Sequence, residues 1–296
     1  MRDYTTERQT FERDGVVIIK DVLTEADFAP VQAELEAFVD QRARELKAAG
    51  KLDNLCEGLD FGYRIVGLYA QCKEIVSGLD IMEMRSKSMF DFIHTERLLD
   101  LAEAFLGPEL TCNPIQHLRA KMPISVDGSN AFMNVPWHQD AAVTLEEADP
   151  TSVYTFWMPM IDANRETGCM EVIPGCGPIG LMNHIPGAYG TEVDPAVLPD
   201  TEPVTAACPR GGVVVMNKLT PHHGIPNVSD RARWTIDLRY QVTGQPTGRS
   251  FHPDFPVRSR ANPASVKRDY AWWCQAWETA LVTSKGMGGH RVTKAK

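Results

Sequence analysis

RWTIDLRYQV, residues 233–242, alternates with a period of two. Arg233, Thr235, Asp237 and Arg239 fall on one side of an extended chain, and Trp234, Ile236, Leu238 and Tyr240 on the other. That alternation predicts a β-strand, because successive side chains of a strand point to opposite faces. The apolar row must meet a core. The polar row either faces water or lines the inside of a barrel, where each buried charge needs a partner.

Further β-rich runs precede it from about residue 110: LTCNPIQHLRAKM, SVYTFWMPMI, CMEVI and GGVVVMN. Turn-forming stretches such as DGSN, ANRETG, PGCGPIG and PRGG stand between them. Many short strands with turn signals predict a sandwich or barrel. The first third reads differently. After the β-branched run GVVII at residues 15–19, Thr24 and Asp27 form a near capping box. Phe28, Val31, Leu35, Phe38 and Val39 then recur at helical spacing until Gly50. A second helix is predicted over 95–106 and a last one over 270–281, with Trp273 and Trp277 packed on one face. The tail GMGGHRVTKAK is expected to be mobile. With no repeat or low-complexity linker, one domain spans 1–296. Its parts are a helical support layer (1–109), a jelly-roll or barrel core (110–245), and a closing loop, helix and tail (246–296). The fold class is mainly β with flanking α-helices.

Composition excludes several functions. The formal net charge is -9, which disfavours nucleic acid and anionic membranes as partners. No apolar run is long enough for a membrane span, and the charged N-terminus is not a secretory signal. Seven scattered cysteines without a C-x-x-C pair suit neither a disulfide framework nor a zinc knuckle, so the expected location is cytoplasmic.

Three of the eight histidines sit two residues from an acid. His94 and Glu96 lie where a helix begins and point apart. His252 and Asp254 lie in the proline-broken loop FHPDFP. His138 and Asp140, in WHQDAAV (137–143), share a face if that run is extended, while Gln139 points elsewhere. An imidazole and a carboxylate suit iron, and a second histidine would complete a facial triad with three open positions. His222 and His223 follow the strand GGVVVMN. Neighbours on extended backbone face opposite ways, so one of them can join, and spacing does not say which.

Four segments carry a family likeness. WHQD, TGCMEVIPG, PRGGVVVMN and HHGIPNVSDRARW together resemble the phytanoyl-CoA dioxygenase family of Fe(II)/2-oxoglutarate oxygenases. The resemblance implies a double-stranded β-helix, the jelly-roll or cupin-like barrel. The family places asparagine five and arginine eleven positions after its distal metal histidine. From His222 these fall on Asn227 and Arg233, and from His223 neither fits. The resemblance therefore implies iron held by His138, Asp140 and His222, and 2-oxoglutarate held by Arg233. It also makes the polar row of 233–242 the barrel lumen, where Asp237 and Arg239 pair or touch ligand. His117, Lys121, Gln139 and Trp157 lie where the family lines its cosubstrate pocket.

The implied activity is oxidation of an unactivated C–H of a small molecule, using O2 and releasing succinate and CO2, with ascorbate as a possible reductant. Asp140 stands where related halogenating enzymes carry a small residue, which points to hydroxylation, desaturation or ring chemistry. The chain departs from the family at Cys176-Gly177, Gly211-Gly212 and Gly224. Two loops are expected over the barrel mouth, 54–70 and 177–199. They and the lumen supply Arg64, Tyr63, Tyr69 and Arg239 as substrate candidates, in a monomer or homodimer. The competing reading is a cupin-like metal-binding barrel, an isomerase or binding module, that does not use 2-oxoglutarate.

Overall fold

The computed structural model describes residues 2–128, 134–187 and 190–292. Ser129 and Asn130 of the DGSN turn, residues 188–189 of the expected lid and residues 293–296 of the tail lie outside them. RWTIDLRYQV is an inner strand of a six-stranded antiparallel sheet. Across this sheet run β1 (Val16–Ile19), β8 (Val213–Asn217), β3 (Val153–Pro159), β10 (Arg233–Val242), β2 (Glu109–Lys121) and β11 (Phe255–Ser259). A second sheet holds β7 (Val204–Ala206), β4 (Met170–Val172) and β9 (His222–Gly224), with His138 bridged to His222 at its edge. β5 (His184–Gly187) and β6 (Gly190–Val193) form a separate hairpin. The result is the jelly roll with flanking helices expected from the sequence.

Both rows of β10 are inside. Trp234, Ile236, Leu238 and Tyr240 are fully buried against the helical layer, where Phe61 stacks on Trp234 at 4.5 Å and the Tyr240 hydroxyl donates to the Ile93 carbonyl at 2.8 Å. Arg233, Thr235 and Arg239 are buried on the other side, in the barrel interior. Helix Glu25–Ala48 starts where the Thr24 N–H donates to Asp27 at 2.7 Å, and it buries Phe28, Val31, Leu35 and Val39. Each such side chain contributes roughly 1.5–3 kcal/mol on leaving water. Helices Glu96–Leu106 and Tyr270–Thr283 join the same core, the latter through fully buried Trp273 and Trp277.

The ladder between β2 and β10 contains a bulge. His117 pairs with Asp237 and Asn113 with Arg239, so four steps of β2 span two of β10. Pro114, which has no N–H to give, sits inside it. The Asn113 side chain accepts from the Ile115 N–H at 2.9 Å, which leaves the Ile115 carbonyl turned to the Arg239 guanidinium at 3.2 Å.

Two expectations are corrected. Residues 54–70 are not a loop over the mouth: Phe61–Gln71 is a helix under the outer face of the sheet. Its Gly67 marks a close approach rather than a turn, since a Cβ there would come within 2.8 Å of Cys56 Sγ. The described part of the tail is tied down, with the Arg291 N–H donating to the Ala142 carbonyl at 2.8 Å and its side chain paired with Asp149 at 2.6 Å. All seven cysteines are free. Among the described residues no helix is long and apolar enough to cross a membrane.

Candidate active site

His138 and His222 exchange both backbone hydrogen bonds at 3.0 Å, which sets their rings 4.1 Å apart. The chain is extended through Gln139 and then turns, so Asp140 opens the 3-10 turn Asp140–Val143 instead of continuing a strand. That turn forms because the Ala141 N–H donates to the Lys218 carbonyl at 2.9 Å, close before β9. His138, Asp140 and His222 each offer one ligand atom, and these atoms lie within 4.8 Å of one another.

The tautomers suit a metal. The Nδ1 of His138 lies 2.9 Å from the Pro136 carbonyl, and that of His222 lies 3.0 Å from the Thr220 carbonyl. A carbonyl only accepts, so each Nδ1 carries the proton and each Nε2 keeps its lone pair for an ion. Burial and the neighbouring His222 push His138 down to about 3, so it stays neutral. Burial alone would raise the Asp140 carboxyl, but the Arg239 guanidinium holds it well below the usual carboxylate range. Arg239 grips both oxygens, at 2.7 Å and 3.2 Å, and the Thr155 hydroxyl donates to Oδ2 at 2.5 Å. Arg239 also pairs with Asp237 at 3.5 Å.

These groups line a cavity of about 340 Å3. Further along it lies Arg233, buried, with its guanidinium 5.1 Å from the centre of the Trp157 ring. Among the described residues it has no carboxylate partner, its Nε has no hydrogen bond, and Nη1 reaches the Thr235 hydroxyl only at 3.4 Å. Burial pushes it down to about 10. Opposite it in the β-ladder, Lys121 is fully buried, donates to the Ile225 carbonyl, and is pushed down to about 6 by burial and by Arg233. A desolvated guanidinium over a ring, facing a cavity, has the chemistry to take an anion.

The other sequence candidates divide. His117 and Trp157 line the cavity, His117 with Nδ1 2.9 Å from Asp80. Gln139 does not line it. Its side chain is turned away and locks the chain, donating to the Gly180 and Leu219 carbonyls and accepting from the Met182 N–H at 2.8 Å. His223 stacks on Trp137 at 4.1 Å with its Nε2 3.0 Å from Glu171. Arg239 faces the lumen, but its hydrogen bonds go to Asp140 and the bulge carbonyl. Tyr63 and Arg64 are not brought to the cavity. They line a separate hollow at the helical layer, where Arg64 pairs with Asp40 at 2.7 Å. Tyr69 donates to Asp127 at 2.5 Å beside another hollow. These three follow helix Phe61–Gln71 to the wrong side of the sheet. Conversely, Arg249, His252 and His290 do line the cavity. Their only signal in the sequence is the residue types themselves, in stretches read as a broken loop and a mobile tail.

Two imidazoles and one carboxylate in this arrangement are the donor set of a facial metal centre, the kind that non-haem Fe(II) oxygenases use. The chain belongs to the phytanoyl-CoA dioxygenase family, which it matches over residues 11–235. No curated protein matches the sequence. Among solved structures, the apo form of the non-haem monooxygenase ThoJ is similar at 18% identity and a TM-score of 0.62, over 93% of this chain and 94% of its own. SnoN, an epimerase solved with Fe3+, alpha ketoglutarate and nogalamycin RO, is similar at 22% identity and a TM-score of 0.54, over 83% and 88%. EvdO2 from Micromonospora carbonacea var. aurantiaca is similar at 20% identity and a TM-score of 0.56, over 82% and 91%. At these identities what is shared is the fold.

Proposed function

We propose that this enzyme inserts oxygen into an unactivated C–H bond of a small molecule or natural-product intermediate. The balance is one C–H substrate, one 2-oxoglutarate and one O2 giving the alcohol, succinate and CO2. His138, Asp140 and His222 would hold the iron, which supplies O2 activation coupled to decarboxylation of the cosubstrate. Arg233 would take the distal carboxylate of 2-oxoglutarate as a bidentate fork, with Trp157 fixing the plane of the guanidinium. Arg239 and Thr155 orient Asp140, and apolar Ile115, Met170 and Met216 keep water from the cavity wall. A carboxylate at position 140 leaves less room for a halide ligand than a small residue would, which favours oxygen insertion over halogenation.

The observation that carries this reading is Arg233: a buried, unpaired cation on the cavity of the His–Asp–His cluster has an evident purpose only if a dianion binds there. The test is anaerobic titration of metal-free protein with Fe(II) and then 2-oxoglutarate, following the weak visible charge-transfer band of the chelate. A band that needs both additions and vanishes in His222→Ala supports the reading. Iron binding without any band would instead make the site a metal barrel that does not use 2-oxoglutarate.

A further inference from the structure

The cavity has a second end, carrying one guanidinium, that neither the metal cluster nor Arg233 uses. It is built from Arg249, His252 and His290, all beyond the stretch that matches the family. The Arg249 Nε donates to the Val143 carbonyl at 2.9 Å, close after the Asp140 turn. Among the described residues its two terminal nitrogens have no hydrogen-bond partner and no carboxylate stands within ion-pair reach. Burial and the nearby Arg239 push it down to about 10, so its surroundings already disfavour an uncompensated charge. The lining acids do not offset it, since both Asp140 and Asp237 are paired with Arg239.

Residues 286–292 cross this end as a strap. Gly289 lies flat on Arg249: a Cβ there would stand 1.9 Å from Nε and 2.3 Å from Cζ. His290 packs on the hairpin at Gly190, whose Cβ would meet its Nδ1 at 2.7 Å. Arg291 pins the strap to the metal-side turn, donating to the Ala141 carbonyl at 2.5 Å and pairing with Asp149. The strap thus holds His290 in the cavity and keeps the Arg249 fork open.

We propose that Arg249, with His290 beside it, binds a carboxylate of the primary substrate, so that the strap selects molecules with an acid group at one end and the oxidisable C–H at the other. This rests on the iron and 2-oxoglutarate reading above. A guanidinium whose paired terminal nitrogens are free matches the two oxygens of a carboxylate, and a neutral isostere forfeits the charge. Loss of one charge-assisted contact is worth about 10-fold or more in affinity.

The test uses the full chain, loaded anaerobically with Fe(II) and saturating 2-oxoglutarate. Straight-chain and phenyl-substituted monocarboxylic acids are titrated beside their primary amides, with binding read by calorimetry and by perturbation of the chelate band. At least one acid is expected to bind about 10-fold tighter than its amide. Arg249→Gln should bring that ratio to about one with the chelate band retained. Gly289→Ala keeps every charge but pushes the guanidinium aside, and it should lower the same ratio even if Arg249→Gln folds poorly. Acids that bind no better than amides, no binding of any acid, or a ratio untouched by both variants would overturn the proposal. A wild type that forms no chelate band fails one step earlier: the 2-oxoglutarate reading is then wrong and this inference falls with it.

Discussion

Arg239→Met separates the structural from the metal-binding role of Asp140. The wild-type pair is deeply buried, with side chains 6% and 3% exposed, and its guanidinium also serves Asp237. Removing it leaves one carboxylate buried with only the Thr155 hydroxyl and a second with no cation. Breaking a buried pair in this way costs about 3–5 kcal/mol. For a chain of this size each kcal/mol moves the melting temperature by roughly 2 °C, so metal-free variant should melt on the order of 10 °C below wild type. A divalent ion restores positive charge beside Asp140, so the deficit should shrink by half or more in saturating Mn(II). The assay is a pair of melts, in chelator and in Mn(II), for both proteins. Equal deficits with and without metal would refute the reasoning, because they would mean that the ion and Arg239 do not compensate the same charge. A metal-free variant as stable as wild type would refute it more directly.

Three other perturbations probe separate features. Arg233→Lys keeps the charge but loses the fork, so calorimetry on Mn(II)-loaded protein should show 2-oxoglutarate binding weakened by about 10- to 100-fold with metal affinity unchanged. Lys121 has its folded value depressed from 10.5 to about 6, so the unfolded chain binds the extra proton between those values and stability rises with pH across that window. Lys121→Met should therefore raise the unfolding free energy read from urea titrations most near pH 6, by a few kcal/mol at about 1.4 kcal/mol per pKa unit, and hardly at all near pH 10. Gly168 has φ +75 and a Cβ there would lie 2.8 Å from the Ile225 carbonyl, whereas Gly175 has the same φ and open space. Gly175→Ala should cost about 1 kcal/mol for conformation alone, and Gly168→Ala clearly more in the same denaturation assay.

Much of the architecture could be read locally. The alternation of β10, the cap at Thr24 and the paired tryptophans of the last helix are short-range patterns, and all three appear in the structure. His138, Asp140 and His222 are also brought together, although 84 positions separate His138 from His222. What was not legible depends on distant partners. The 3-10 turn at Asp140 is imposed by the Lys218 carbonyl, which no reading of WHQDAAV contains. The glycines of 54–70 have the composition of a loop, yet one of them, Gly67, lets a helix pack closely against Cys56. The strap reads as a loose tail because its anchors, Ala141, Ala142 and Asp149, lie some 150 positions earlier. Arg249 and His290 were invisible for the same reason.

The bulge in β2 constrains how this strand can change length. Downstream of it, His117, Arg119 and Lys121 share the parity of Asp237, Thr235 and Arg233 across the ladder, and Leu118 and Ala120 share that of the apolar row. Losing one residue between 113 and 117 would exchange the two sets, driving the polar side chains of His117, Arg119 and Lys121 into the helical layer. Losing two would preserve the faces but withdraw the Ile115 carbonyl from Arg239. Viable insertions and deletions here must therefore come in pairs, and even a paired deletion would reach the metal site through Arg239. A homologue that lacks the bulge should be found to hold its metal carboxylate by other means.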